Sequence, residues 1–420
     1  MIVKGDIIYT PDPSGFQVIE NGYLFIEDGR IAGVAQNYHG QEEVLDRSGS
    51  LILPPFVDLH LHANQFANCG LGYGEELLGW LKKYTYPEEV RFKDLGYAEK
   101  IYKLVLNQLW AGGSLRSVVY ASLYEEATDL YIRLAQESGM GAYVGKANMD
   151  RNSAPFYMET AEESIRGTQS LISRYGDGEL VRTIITPRFV PHCTTESMEG
   201  QGKLAKETGT PVQSHINESL AEIRWVKELY PDAPHYAGVY DSFGLFGEHG
   251  KAIMAHCIYN EAAELELMKK RGIYPVHCPE SNANLTSGIM DVKGMLAAGL
   301  PVSLGSDISG GQHIYMPHQM VLAIQLSKMK ARMEGDLSKV LQFSEVFYMA
   351  TKSGGSFFGE VGSLEEGYEG DFLVVDTSSL LVPGEERSPL ERLEKFIYIG
   401  SPDQITERYV RGKALEKPFR

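Results

Sequence analysis

The run Pro55-Phe56-Val57-Asp58-Leu59-His60-Leu61-His62 constrains this chain more than any other stretch. It is apolar and strand-like, and it ends in two histidines one residue apart. Side chains in a strand alternate between its faces, so His60 and His62 are expected to point the same way. Two neutral imidazoles held side by side at the end of a strand make half of a metal site. An isolated His-x-His equally suits the wet face of an edge strand. The order of residues that follows decides between the two.

From His60 onward, short apolar strands alternate with amphipathic helices, the pattern of a parallel sheet built from βα units. Eight strands are predicted, ending near His62, Ser122, Ala147, Phe189, Ser214, His256, His277 and Ser306. Helices are predicted over 94–112, 125–138, 160–175, 197–207, 220–229, 260–271 and 292–298. This is the length and order of a (β/α)8 TIM barrel, an α/β fold, spanning residues 55–359, with a doubly wound sheet as the competing topology. Residues 1–54 read as short strands with an Asp28-Gly29 hairpin turn, and residues 360–420 resume strands. Neither end buries a core alone, so the two are expected to pair into a small composite β-sandwich domain.

Barrel enzymes place their working residues at the C-terminal ends of strands. Here those ends carry His60 and His62, His215, His256, His277 and Asp307, and the remaining six of the eleven histidines fall elsewhere. Core strand positions prefer aliphatic side chains, so packing does not explain this concentration. Imidazoles with one carboxylate and no thiolate suit Zn²⁺, and Fe²⁺ accepts the same set. In His215-Ile216-Asn217-Glu218, strict alternation turns Glu218 away from His215, so the strand must end and the loop swing the carboxylate back. There it can carry a proton; otherwise it caps the helix near Leu220. Arg188, at the end of strand four, opposes a second metal and offers a planar fork of donors to a ligand; an ion pair is its alternative role.

A net charge of −17 argues against a nucleic-acid backbone as partner, and a small neutral or weakly charged ligand fits better. No apolar run is long enough to span a membrane and no leader is visible at the N-terminus, so a cytoplasmic protein is expected. Cys69, Cys193, Cys257 and Cys278 are too scattered for a disulfide framework or a cysteine zinc site.

Laid out in this order, the motifs resemble the amidohydrolase superfamily, its mononuclear deaminase branch and, within that, the guanine deaminase family. They are Phe56-Val57-Asp58-Leu59-His60-Leu61-His62-Ala63-Asn64-Gln65, the stretch Trp80 to Glu88, Gly145 to Asp150, Ile185-Thr186-Pro187-Arg188-Phe189, Gln213 to Glu218, Met254-Ala255-His256, His277 to Asn282, and Gly305 to Gly311. The resemblance covers almost the whole chain. It implies one metal ion, Zn²⁺ or Fe²⁺, surrounded by His60, His62, His215, His256 and Asp307, with His256 either a ligand or a partner of the metal water. It implies Glu218 as proton shuttle, with His256 and Asp307 assisting, and Gln65, Arg188, Phe189 and His277 on the purine. The implied reaction converts guanine to xanthine and ammonia in a homodimer. One departure is Pro55, where the family usually has Gly. Three alternatives stay open on these residues: deamination of another amino-purine, amino-pyrimidine or triazine, opening of a cyclic amide, and a non-catalytic barrel kept as an assembly scaffold.

Overall fold

The computed structural model describes residues 1–420. The chain begins with β1 (Ile2–Asp12), β2 (Gly15–Glu27), β3 (Arg30–Ala35) and β4 (Val44–Leu53). Next come β5 (Phe56–His62), β6 (Ser114–Tyr120), β7 (Gly141–Gly145), β8 (Ala147–Asn148), β9 (Val181–Thr183) and β10 (Thr186–Pro187). The series continues through β11 (Val212–Ile216), β12 (Ala252–His256), β13 (Tyr274–His277) and β14 (Ser303–Leu304). It closes with β15 (Phe372–Val375), β16 (Ile405–Val410) and β17 (Lys413–Ala414).

β5-β6-β7-β9 and β11-β12-β13-β14 form two four-stranded parallel arcs. Backbone hydrogen bonds join the arcs at both seams. Ile185 N donates to Pro211 O at one, and Asp307 N to His60 O and His62 N to Ile308 O at the other. The result is a closed parallel barrel with its connecting helices outside. Alternation sorts the strand residues. Val57, Leu59, Val118, Ile253, Ala255, Val276 and Cys278 fill the interior, while Phe56, Leu61, Val119, Ala252 and Met254 join the larger core beneath the helices.

The N- and C-terminal strands form one seven-stranded sheet, in the order β17-β16-β15-β4-β1-β2-β3. The same alternation gives it two buried faces. Val3, Ile7, Ile52, Phe372 and Val374 make a core of its own, and Ile8, Leu51, Leu53, Leu373 and Val375 pack toward the barrel.

Most expected helices appear within two residues of their predicted ends, as with Leu95–Ala111 and Glu125–Ser138. The 19-residue helix Met316–Glu334 was not anticipated. Its buried residues include Met316, Met320, Ala323 and Ile324, but exposed Met329 and Met333 blur the amphipathic period.

Candidate active site

The strand ends meet in a cavity. It is lined by His62, Gln65, Leu77, Trp80, Leu81, Arg188, Phe189, His215, Glu218, His256, Leu285 and Asp307. The local backbone brings these side chains together by means that simple alternation does not provide. β5 carries one residue more than β6 between the pairs Asp58/Ser117 and Leu61/Val119, a bulge that lets Leu59 and then His60 and His62 all face inward. Gly305 permits the close approach of the eighth strand: a Cβ there would lie 2.8 Å from His60 Cβ and 3.1 Å from its carbonyl oxygen. Asn217, His256, Cys257 and Asp307 take left-handed φ values of 53°, 74°, 45° and 45°. Such conformations are uncommon for these residues, and their concentration here re-aims the chain at the site.

Four ligand atoms, one each from His60, His62, His215 and Asp307, lie within 4.8 Å of one another. Asp307 Oδ1 is 3.2 Å from His60 Nε2 and 3.4 Å from His62 Nε2. His62 Nε2 and His215 Nε2 face each other at 3.1 Å. His215 Nδ1 donates to Arg188 O at 2.5 Å, which turns the lone pair of Nε2 into the cluster. Both ring nitrogens of buried His60 lack a hydrogen-bond partner. Burial pushes the pKa of His60, His62 and His215 down, so the rings are neutral and able to ligate. Burial alone would raise Asp307, but His60, His256 and His62 draw it well below the usual carboxylate range. Converging lone pairs on imidazoles shielded from solvent, with those of His60 left without a hydrogen-bond partner, fit a single divalent cation beside a carboxylate.

His256 stands beside this group. Its Nε2 lies 3.4 Å from Glu218 Oε2 and 3.7 Å from Asp307 Oδ2. Its Nδ1 donates to Asn282 Oδ1 at 2.9 Å, which fixes the ring. Burial opposes charge on His256, yet Glu218 and Asp307 outweigh it and raise its pKa. β11 ends at Ile216, and the left-handed Asn217 swings Glu218 over the cavity as expected. The cap reading of Glu218 is excluded, because Ser219 and Glu222 form the capping box of helix Leu220–Leu229. Burial pushes the Glu218 carboxyl up to about 7.

The opposite wall is polar and already paired. Arg188 Nη1 donates to Glu89 Oε2 at 2.5 Å, and Gln65 Nε2 donates to Glu89 Oε1 at 2.7 Å. Ser309 N donates to Gln65 Oε1 at 3.3 Å. Phe189 contributes its ring and packs edge-on against His192 at 4.3 Å. Glu89 and Asn282 are two polar residues that sequence reasoning left without a role. Glu89 lies one position beyond the Trp80–Glu88 stretch, and nothing in Glu88-Glu89 distinguishes the acid that becomes fully buried.

One expectation is corrected. His277 does not reach the cavity. Its neighbours Val276 and Cys278 fill the barrel interior, so alternation sends the imidazole outward. It lines a separate pocket with Met290, Val292, Lys330 and Leu341.

Residues 51–415 match the amidohydrolase family. The chain is 34% identical to a guanine deaminase of Dictyostelium discoideum, over 99% of this chain and 98% of that one. It is 31% identical to the guanine deaminase of Escherichia coli K12, over 96% and 92%. The chain belongs to the amidohydrolase family, in its guanine deaminase group. A crystal structure of the guanine deaminase from C. acetobutylicum with guanine bound in its active site superposes with a TM-score of 0.96, at 43% identity and 99% coverage of both chains. Members of this group are hydrolytic enzymes, which removes the non-catalytic scaffold from consideration. No helix is long and apolar enough to cross a membrane.

Proposed function

We propose that this amidohydrolase deaminates guanine hydrolytically to xanthine and ammonia, with one Zn²⁺ per chain held by His60, His62, His215 and Asp307. The observation that carries the reading is the pairing, across one cavity, of this cluster and Glu218 with a wall of fixed hydrogen-bonding groups, Arg188 and Gln65. The named relatives and the guanine-bound neighbour support it. A bound divalent cation supplies a water acidic enough to act as nucleophile near neutral pH.

The chain's own residues do the rest. Glu218 takes a proton from the attacking water and passes it to the ring nitrogen, then takes the second from the hydroxyl formed at C2 and passes it to the departing amine, which leaves as ammonia as the C2 carbonyl forms. Burial raises this carboxyl toward neutrality, which suits both directions. His256, held by Asn282, orients the water alongside Asp307 and stands outside the set of ligands. Arg188 keeps free donors beyond its bond to Glu89 and meets an acceptor edge of the purine, where charge develops during attack. Gln65 reads a carbonyl beside an N–H. Phe189, Trp80 and Leu81 supply apolar faces for the ring.

Ammonia release should be assayed against guanine, adenine, cytosine and a triazine, together with elemental analysis of the purified protein. Guanine should lead adenine and cytosine by several orders of magnitude, roughly 10,000-fold for a mismatched polar site, with one zinc per chain. Comparable turnover of adenine or cytosine would overturn the substrate; two ions per chain would overturn the metal arrangement.

A further inference from the structure

We infer that Glu89, which does not line the cavity, is the positioning residue that sets the hydrogen-bond polarity of the purine-reading wall; the inference rests on the guanine reading. Glu89 is fully buried, and its two oxygens are divided between the two readers, Oε1 to Gln65 Nε2 and Oε2 to Arg188 Nη1. An ionised carboxylate only accepts hydrogen bonds. Its partner on Gln65 must therefore be the amide nitrogen. The other end of the same amide meets Ser309 N, a backbone donor that cannot accept. Rotating the Gln65 amide by half a turn would set oxygen against carboxylate oxygen and N–H against N–H. One orientation survives, with one N–H and one oxygen lone pair left for a ligand.

The same carboxylate holds the guanidinium. Burial opposes the charge of Arg188, while Glu89 beside it favours the cationic form, and the net direction is a raised pKa. Tyr86, one turn before Glu89 in the segment Tyr86–Glu89, lies under the guanidinium with the ring centroid 5.5 Å away. Glu89 thus couples the direction of a neutral reader to the placement of a charged one. A ligand with a carbonyl beside an N–H meets a wall whose donors and acceptors are set before it arrives. A ring lacking that carbonyl leaves buried groups unpaired.

Glu89→Gln keeps the shape of the side chain but can donate as well as accept, so both orientations of the Gln65 amide become available. Guanine and 2-aminopurine separate reading from chemistry, because both carry the amine at C2 and only guanine has the C6 carbonyl and N1–H. In Glu89→Gln, the guanine to 2-aminopurine ratio of kcat/KM should fall by about 100-fold, through a raised KM for guanine, with metal content unchanged. Glu89→Asp retains the charge on a shorter stem and should recover part of the loss. It also covers the case in which the neutral variant does not fold. The decisive measurement is coupling with Gln65→Leu: in that background Glu89→Asp should change the ratio several-fold less than it does in the wild-type background, the remainder being its hold on Arg188. A wild type inactive on guanine would overturn the guanine reading itself. An active wild type whose Glu89→Asp variant keeps full discrimination, or whose Glu89 and Gln65 effects multiply independently, would overturn the positioning role of Glu89.

Discussion

β12 and β13 are neighbouring strands, and each ends in a histidine that follows an inward-facing apolar residue, Ala255 before His256 and Val276 before His277. Continued alternation would turn both rings out of the barrel. His256 takes a left-handed φ of 74° and faces Glu218 and Asp307; His277 has no such turn and faces a pocket under the helices. Their electrostatics diverge accordingly. His256 is raised by two carboxylates, whereas burial, with His256 and Lys330 adding to it, holds His277 down at about 3, a neutral ring. A strand-end histidine is therefore not a site residue by position alone. It becomes one where the backbone accepts an uncommon conformation to aim it.

The comparison can be broken most severely from the metal side. His60→Ala removes a ring whose nitrogens have no hydrogen-bond partner, and it should abolish zinc retention and nearly all turnover. Elemental analysis after dialysis checks this, and a variant that keeps full metal would show the cluster is misassigned. Glu218→Gln should keep metal and fold while losing about 100- to 10,000-fold in kcat, the usual range for a general acid–base group. The accepting form is the carboxylate, so wild-type rate should fall as pH drops through the Glu218 pKa, about 7 before a bound cation draws it lower. The glutamine variant should lack that acid limb, and a retained limb would assign it to another group.

Asn282→Ala frees the His256 ring by removing its Nδ1 partner, a loss of support expected to cost about 10- to 100-fold in activity. Steady-state kinetics with metal content held constant reads it, and near-normal kcat would show that Asn282 is dispensable for aiming the ring. The smallest effect belongs to the other histidine. His277→Leu replaces a neutral outward ring with an aliphatic side chain and should leave kcat/KM within about threefold, since a substitution away from the site changes little beyond packing. A hundredfold loss would restore His277 to the substrate side and erase the distinction between the two strand ends.

Much of the fold was legible because its signals are periodic. Short apolar runs alternating with amphipathic segments, and a turn marked by Asp28-Gly29, need no tertiary information. The unanticipated helix Met316–Glu334 lacks that clean period, since its exposed methionines look like core residues in the sequence. Within the cavity, His60, His62, His215 and Asp307 could be grouped because barrel strands end on one face. Glu89 could not, because its importance lies in what touches it from 24 and 99 residues away along the chain.

By itself, then, the sequence determined the barrel, the strand ends that carry imidazole and carboxylate, and the need for a loop to return Glu218 to the cavity. These follow from residue type and spacing along one chain. Tertiary structure alone decided which of two equivalent histidines faces the chemistry, which of two adjacent glutamates pairs with Arg188 and Gln65, and which way the Gln65 amide points. Each depends on a bulge, a left-handed residue or a partner distant in sequence. These are settled by closing the barrel and pairing every buried polar group, not by local propensity.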